Sequence, residues 1–271
     1  MGLRINTNVS ALNASRILSR STGSLNKTLE RLSSGLRINR AADDAAGLAI
    51  AEGFRSIVRG TDVAQRNAQD GISMVQTAEG SLSETTNILQ RIRELAVQSA
   101  NGTMSTQNRQ ALDAEVKQLI EQIDDISTDT EFNGIRVLSV NQTVTLQAGA
   151  HASQTLAIAV EGARAADLSV SALSISTSTL ATSAISSIDL ALRSVSSIRS
   201  TLGAYQNRLE FSINTLAIQE ENSASSESMI RDADIAAETI AFTRNQILVS
   251  AGTTVLAQAN VVPQTALQLL G

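Results

Sequence analysis

The chain has 271 residues and a net charge of −5, with 42% hydrophobic but only 2% aromatic residues. Because it has no cysteine, disulfides, thiolate metal sites and cysteine nucleophiles are excluded. Charges of both signs are mixed, which argues against a nucleic-acid-binding protein, since such proteins usually present a basic face. A core of Leu, Ile, Val and Ala is typical of thin helical bundles, and a single proline leaves long helices almost uninterrupted.

The start of the chain does not have the pattern of a secretory signal peptide, because polar residues interrupt its apolar ones. No run of about 18 apolar residues occurs, so we expect no membrane insertion. These features predict a cytoplasmic protein or one that is exported without a cleaved signal peptide.

The first predicted element is an amphipathic helix over residues 5–33. Its leucines recur at coiled-coil spacing, and Gly35 is a candidate C-terminal cap. The heptad residues that we expect in a helix–helix contact are Leu18, Leu25, Leu29 and Leu32. Residues 37–44 form a connector, in which Asp43 or Asp44 can cap the next helix.

Two further helices follow, over residues 45–100 and about 106–127. The first would span roughly 80 Å at 1.5 Å per residue, which is too long for a compact domain and predicts an elongated molecule. Gly102 separates the two helices.

The period then changes to that of strands. Residues 132–134 (Phe-Asn-Gly) are a turn signal, and apolar residues alternate with polar ones around Val144 and around Ile158. This pattern predicts a β-hairpin. The Ser/Thr-rich residues 171–187 are compatible with a loop or with the polar start of a helix.

The helical period returns at Ile185 and continues to Leu216 with a mean step of about 3.4 residues, close to the 3.5 of a left-handed coiled coil. We expect the polar residues 220–228 to break this apolar seam. A last amphipathic segment covers residues 229–270. The fold class is therefore mainly α: an elongated helical bundle or coiled coil built from both chain ends, with a small β-hairpin region in the middle.

No set of residues in the sequence points to catalysis. The single histidine, His151, falls in the predicted hairpin loop, and the neighbouring carboxylates Asp124 and Asp125 do not share a helix face well. No phosphate-binding or zinc-binding motif occurs. We therefore predict no enzyme activity, no cofactor and no metal site.

The apolar chain ends favour association between copies. A two-helix core within one monomer is the simpler interpretation, but the last segment is apolar around much of its circumference, and such a helix needs neighbours on all sides. Contacts that do not close into a ring would give a helical filament. The C-terminal residues expected at these contacts are Ile247, Leu248, Val255, Leu256, Leu267, Leu269 and Leu270.

Several long motifs at both chain ends resemble bacterial flagellin, the subunit of the flagellar filament. The similarity covers about residues 1–140 and 185–271. The motifs include residues 30–39 (ERLSSGLRIN), 43–47 (DDAAG), 66–73 (RNAQDGIS), 202–209 (LGAYQNRL), 230–234 (IRDAD) and 256–260 (LAQAN). The middle of the chain is short, so it resembles a flagellin without large outer domains.

This resemblance implies a three-part organisation. Residues 1–43 and 227–271 would form the inner tube of the filament, and residues 44–130 and 173–226 the surrounding helical layer. Residues 131–172 would be the hairpin region of that layer.

The resemblance also implies partners. The subunit would be exported by the flagellar type III apparatus, bound beforehand by a cytoplasmic chaperone on about residues 232–270, and added to an extracellular homopolymer that meets filament cap and hook-junction proteins. A Toll-like flagellin receptor of animals recognises such proteins on a surface that also lies between subunits. The matching residues here are Gln90, Arg91, Glu94, Leu95 and Glu115.

Two other functions fit parts of the pattern. A hook–filament junction protein would share weaker similarity at the chain ends. A secreted coiled-coil adhesin or receptor ligand would stay soluble and never polymerise, which separates it from a filament subunit.

Overall fold

The computed structural model describes residues 7–268, and side chains as far as residue 261. Within this range the chain is mainly α with a small β-hairpin region in the middle, which confirms the predicted fold class. The elements in chain order are α1 (Val9–Ser34), α2 (Ala45–Ala100), α3 (Thr106–Asp129), β1 (Glu131–Phe132), β2 (Ile135–Arg136), β3 (Gln142–Gln147), β4 (Thr155–Val160), α4 (Ser178–Arg231) and α5 (Ile235–Gln268).

The chain forms two compact units. The first combines the chain up to Ser56 with the chain from Asn222 onwards, and the second comprises Ile57–Glu221. Helices α2 and α4 contribute residues to both units. The three-part organisation of the sequence analysis stays a prediction.

Local capping fixes the ends of the first helices. The Asn8 side chain accepts a hydrogen bond from the Ala11 amide at the start of α1. Gly35 ends α1 in the left-handed conformation (φ 71°), as its capping role requires. The Asp44 carboxylate accepts from the Gly47 amide at the start of α2, which confirms the predicted cap.

Helix α4 corrects one sequence-based expectation. The polar residues 220–228 do not interrupt it, and it continues to Arg231. The segment contains no glycine or proline, so nothing in its backbone stops a helix. The buried heptad positions also continue in steps of seven, from Leu209 and Leu216 to Ser223, where a small polar side chain takes the place of leucine.

The second unit has a continuous apolar core between α2, α3, α4 and the β3–β4 hairpin. The hairpin is antiparallel, with Val144 opposite Ile158, as the alternating pattern predicted. Its loop lies close to α2, where a Cβ atom on Gly60 would be 2.8 Å from that of Ala150. Glycine at this position therefore permits the close approach.

Asp113 ties α3 to the segment that precedes α4. Its carboxylate accepts hydrogen bonds from the Ile175 amide and the Ser174 hydroxyl, both at 2.7 Å, and forms an ion pair with Lys117 at 2.9 Å. Burial raises the pKa of Asp113, but these donors outweigh that effect and lower the pKa overall. These contacts fix α3 at Asp113, which lies two residues before Glu115.

In the first unit, backbone hydrogen bonds join the segment that follows α1 to the end of α4 and the short link before α5. We call this junction, residues 35–38 and 230–234, the joint. Leu36 forms an antiparallel bridge with Asp232, and the Ala233 amide donates to the Gly35 carbonyl at 2.9 Å. Arg231 lies in ion-pair contact with Glu52 at 3.2 Å and with Glu227 at 3.7 Å. The joint thus brings together the end of α1 and the start of α5.

None of the described helices contains a stretch both long and apolar enough to cross a bilayer.

Candidate assembly surfaces

Helices α1 and α5 form an antiparallel pair. The Asn8 side-chain amide donates to the Ala259 carbonyl at 2.8 Å, near the start of α1. Arg31, near the end of α1, is 3.7 Å from Glu238, near the start of α5. Contacts therefore run along nearly the whole length of α1.

A glycine lies at the contact between the two helices. A Cβ atom on Gly252 would be 3.1 Å from the Leu18 Cδ1 atom, so glycine leaves room for this leucine. Leu18 is partly buried as a result. Three further predicted assembly residues, Leu25, Leu32 and Leu256, are also partly buried.

The pair buries very little of its apolar surface. Thr28 is the buried residue of α1, and the described side chains of α5 include none that is buried. Ile247 is 62% exposed and Val255 is 57% exposed, although a fully buried side chain of this size contributes about 1.5–3 kcal/mol. Leu29 and Leu248 are exposed as well.

Three predicted assembly residues have no described side chain. Leu267 lies within α5, but beyond residue 261, and Leu269 and Leu270 lie outside the described residues.

The structure adds exposed apolar residues that the sequence analysis did not single out. On α5, the exposed Ile240 lies one heptad before Ile247. A shallow groove of about 420 Å³ on this helix is lined in part by Ile240, Ile247 and Leu248. On α1, the added residues are Val9, Leu12 and Ile17. The seven-residue spacing between Ile240 and Ile247 is the sequence pattern that could have identified Ile240 as a member of this surface.

The second predicted surface lies on α2 and α3. Gln90, Arg91 and Glu94 are exposed, whereas Glu115 is partly exposed. The prediction is wrong for Leu95, which is 1% exposed and belongs to the apolar core, because its position on α2 faces inward.

Arg91 is held by two carboxylates. Its guanidinium donates to Glu115 on α3 at 2.9 Å and to Glu94, one turn further along α2, at 3.2 Å. The hydrogen bond to Glu115, and then that to Glu94, raises the pKa of Arg91 above its ordinary value. The side chain is thus exposed yet restricted in orientation.

A groove of about 540 Å³ next to Arg91 is lined by two residues of the predicted surface, Gln90 and Glu94, and by three residues that the sequence did not indicate. These include Arg93, which contacts Asp189 of α4 at 2.8 Å, and the exposed Val97. Pairs between separate helices have no local sequence signal, so this contact was not predictable.

The polar residues that the sequence analysis considered for catalysis, His151 and Asp124, lie at separate places in the structure. His151 lies exposed in the turn after β3, as expected, and Asp124 accepts a hydrogen bond from the Ala165 amide at 2.8 Å. Within the described part of the chain, no three His, Asp or Glu side chains lie together as a metal-ligand set.

Comparison with known proteins matches both ends of the chain. The bacterial flagellin N-terminal helical region matches residues 5–143, and the bacterial flagellin C-terminal helical region matches residues 185–270. A flagellin of Halalkalibacterium halodurans is 49% identical over 269 residues, which covers 98% of this chain and 99% of the relative. A flagellar filament 33 kDa core protein of Treponema phagedenis is 44% identical over 283 residues, with 98% and 99% coverage.

A solved structure shares the fold. It is a putative flagellar hook-associated protein from Vibrio parahaemolyticus, with 12% sequence identity and a TM-score of 0.59. The match covers 70% of this chain and 99% of that chain.

The contact between α1 and the following connector predicts a pH dependence. Asp43 forms an ion pair with Lys27 at 2.7 Å and accepts from the Arg40 amide at 3.2 Å. The Lys27 hydrogen bond and the Arg40 amide lower the Asp43 pKa to about 2. Since the pKa is lower in the folded state, this contact stabilises the fold above about pH 4 and is lost as the pH falls towards 2.

An NMR titration of the Asp43 carboxyl group checks this assignment. Lys27→Met should raise its pKa towards the ordinary value of 3.8, whereas Lys117→Met, a matched change on α3, should leave it unchanged. An Asp43 pKa near 3.8 in the unchanged protein would contradict the contact.

Proposed function

Because the chain belongs to the bacterial flagellin family and is a structural subunit of the extracellular flagellar filament, we propose that its α1–α5 pair makes the main contacts between copies. The exposed apolar face of this pair is the observation that carries the proposal. Ile247 and Val255 lie more than half exposed, one on each side of the α5 midpoint. Such a face needs to be covered by another surface.

Neighbouring copies are the natural cover in a homopolymer. Each α1–α5 pair would pack against pairs of adjacent copies, so that apolar residues on all sides of α5 become buried together. A heterologous contact that does not close generates an open helical filament. On this basis residues 1–43 and 227–271 form the inner tube, residues 44–130 and 173–226 the surrounding layer, and residues 131–172 its hairpin region.

The same exposed face requires protection before assembly. A chaperone that binds α5 in the cytoplasm would cover Ile240, Ile247 and Leu248 and prevent premature association. We propose this partner, export through the flagellar type III apparatus without a cleaved signal peptide, and end contacts with the filament cap and hook-junction proteins.

The surface around Arg91 supports a second role. We propose that Gln90, Arg91, Glu94 and Glu115 are recognised by a Toll-like flagellin receptor on the free subunit and pack between subunits in the filament. The restricted guanidinium of Arg91 favours this role, because an oriented charge loses less entropy when it binds. Leu95 would act only by supporting α2 from the core.

The assembly proposal predicts that Ile247→Asp and Val255→Asp each abolish filament growth. An unpaired carboxylate inside an apolar contact costs several kcal/mol. Purified protein is seeded and growth is measured by electron microscopy and sedimentation, and His151→Asp in the exposed hairpin turn serves as the control. Filaments of normal length and yield from both α5 variants would contradict the proposal.

The receptor proposal predicts that Arg91→Ala lowers the signalling potency of the monomer by roughly tenfold or more, as the loss of one anchoring arginine would. A cell-based receptor reporter assay measures potency, and Arg136→Ala, which also removes an exposed arginine, is the control. Unchanged potency of Arg91→Ala would refute this role while leaving the assembly proposal intact.

A further inference from the structure

The α1–α5 pair carries an excess of positive charge. Its two helices contain five cationic residues but only two acidic ones, Glu30 and Glu238. Both acids have ion-pair partners within the chain: Glu30 is 2.8 Å from Arg40, and Glu238 is 3.7 Å from Arg31. Lys27 is paired with Asp43 at 2.7 Å, so three cations of the pair, Arg16, Arg20 and Arg244, have no ion-pair partner among the described side chains.

Arg16 and Arg20 lie on an exposed part of α1, and neither has an ion-pair partner among the described side chains. The Arg16 guanidinium donates to the Asn13 side chain at 2.9 Å. A groove of about 510 Å³ is lined by Arg16 together with the exposed Val9 and Leu12. We call Val9, Leu12, Arg16 and Arg20 the basic surface, which combines positive charge with apolar groups.

The joint contains two arginines and two aspartates, and its exposed carboxylates have the charge opposite to that of the basic surface. Asp232 and Asp234 are both exposed, and Asp234 accepts hydrogen bonds from the Ala236 and Ala237 amides at the start of α5. The Asp232 backbone is fixed by its bridge to Leu36. Two exposed apolar residues flank the aspartates, Met229 at 73% exposure and Ile235.

Of the two cations near these aspartates, Arg231 is paired with carboxylates, whereas the exposed Arg37 keeps its charge. Because Arg231 is paired with two glutamates, the region has four carboxylates against two guanidinium groups. Arg231 contacts Glu52 and Glu227, and the Arg37 guanidinium donates to the Ile230 carbonyl at 2.6 Å. We call Met229, Asp232, Asp234 and Ile235 the acidic surface, which combines negative charge with apolar groups.

The basic surface and the acidic surface lie far apart along the length of α1. Arg20 is separated from the end of α1 by 14 residues, or about 20 Å of helix, and the joint follows directly after that end. Surfaces so far apart do not meet within one copy. Their charges and apolar groups are complementary, so each is suited to the other surface on a second copy.

We propose that the basic surface of one subunit binds the acidic surface of the next subunit in a head-to-tail contact. The proposal rests on the assembly function of the α1–α5 pair and names an electrostatic contact within it. Because the two surfaces differ, the contact is heterologous and repeats without closing. It also gives each copy a direction along the polymer, which apolar faces alone specify poorly.

A salt series tests the contact. The double variant Arg16→Gln/Arg20→Gln should raise the critical concentration of seeded assembly by roughly 2- to 30-fold at 50 mM NaCl, as expected for two exposed ion pairs. At 500 mM NaCl the difference from the unchanged protein should largely disappear, because screening removes the contribution in both. Arg193→Gln/Arg208→Gln, which removes two exposed α4 charges, is the control and should have a small effect.

A charge reversal makes the test specific for the partner surface. Arg16→Glu/Arg20→Glu should block assembly at low salt, and adding Asp232→Arg to the same chain should restore much of it. Asp234 is left unchanged because it caps α5. Normal critical concentration and salt dependence of Arg16→Gln/Arg20→Gln, or reversal without rescue, would overturn the proposal.

Two experimental outcomes would distinguish this contact from purely apolar assembly and from membrane binding. If Ile247→Asp blocks assembly while the arginine variants assemble normally, the assembly function stands and the electrostatic contact is refuted. If the arginine variants assemble normally but lose binding to phosphatidylglycerol vesicles, the basic surface serves a membrane and the proposal is likewise refuted.

Discussion

Two helices alone have too little interior to bury the apolar residues that both chain ends carry, and this constraint shapes the first unit. In α1–α5, leucines such as Leu18 are partly covered at the helix contact, while Ile247 and Val255 remain mostly exposed. The missing burial has to come from outside the chain, and we propose that other copies in the filament supply it. On this proposal, assembly completes a core that folding leaves open.

The second unit differs because it completes its own core. Side chains of α2, α3, α4 and the β3–β4 hairpin enclose a continuous set of buried residues, and Asp113 fastens the chain entering α4. Its surface carries charged contacts between helices, such as the Arg91–Glu115 pair, beside single exposed apolar residues such as Phe211. The two units therefore differ in burial: the second encloses a continuous apolar core, whereas Thr28 is the buried residue among the described side chains of α1 and α5.

Much of the fold was predictable from periodicity and breakers, because helices such as α2 and the β3–β4 hairpin have strong local patterns. The uninterrupted course of α4 was not, since polarity at residues 220–228 suggests a break although the backbone there favours a helix. Leu95 was misplaced because family resemblance does not tell which side of α2 faces the core. Contacts between helices, such as Arg93 with Asp189, depend on tertiary packing and leave no sequence signal.

Thiol labelling of α5 before and after assembly measures whether the open face of the terminal helix pair becomes buried in the filament. The chain has no cysteine, so Ile247→Cys creates a single reactive site, and His151→Cys in the hairpin turn provides an exposed reference. We predict that both thiols react rapidly in the monomer, and that in filaments the reaction at residue 247 slows by at least tenfold relative to that at residue 151. Equal protection of both sites, or rapid labelling of residue 247 in intact filaments, would contradict the claim that assembly buries the open face of the terminal helix pair.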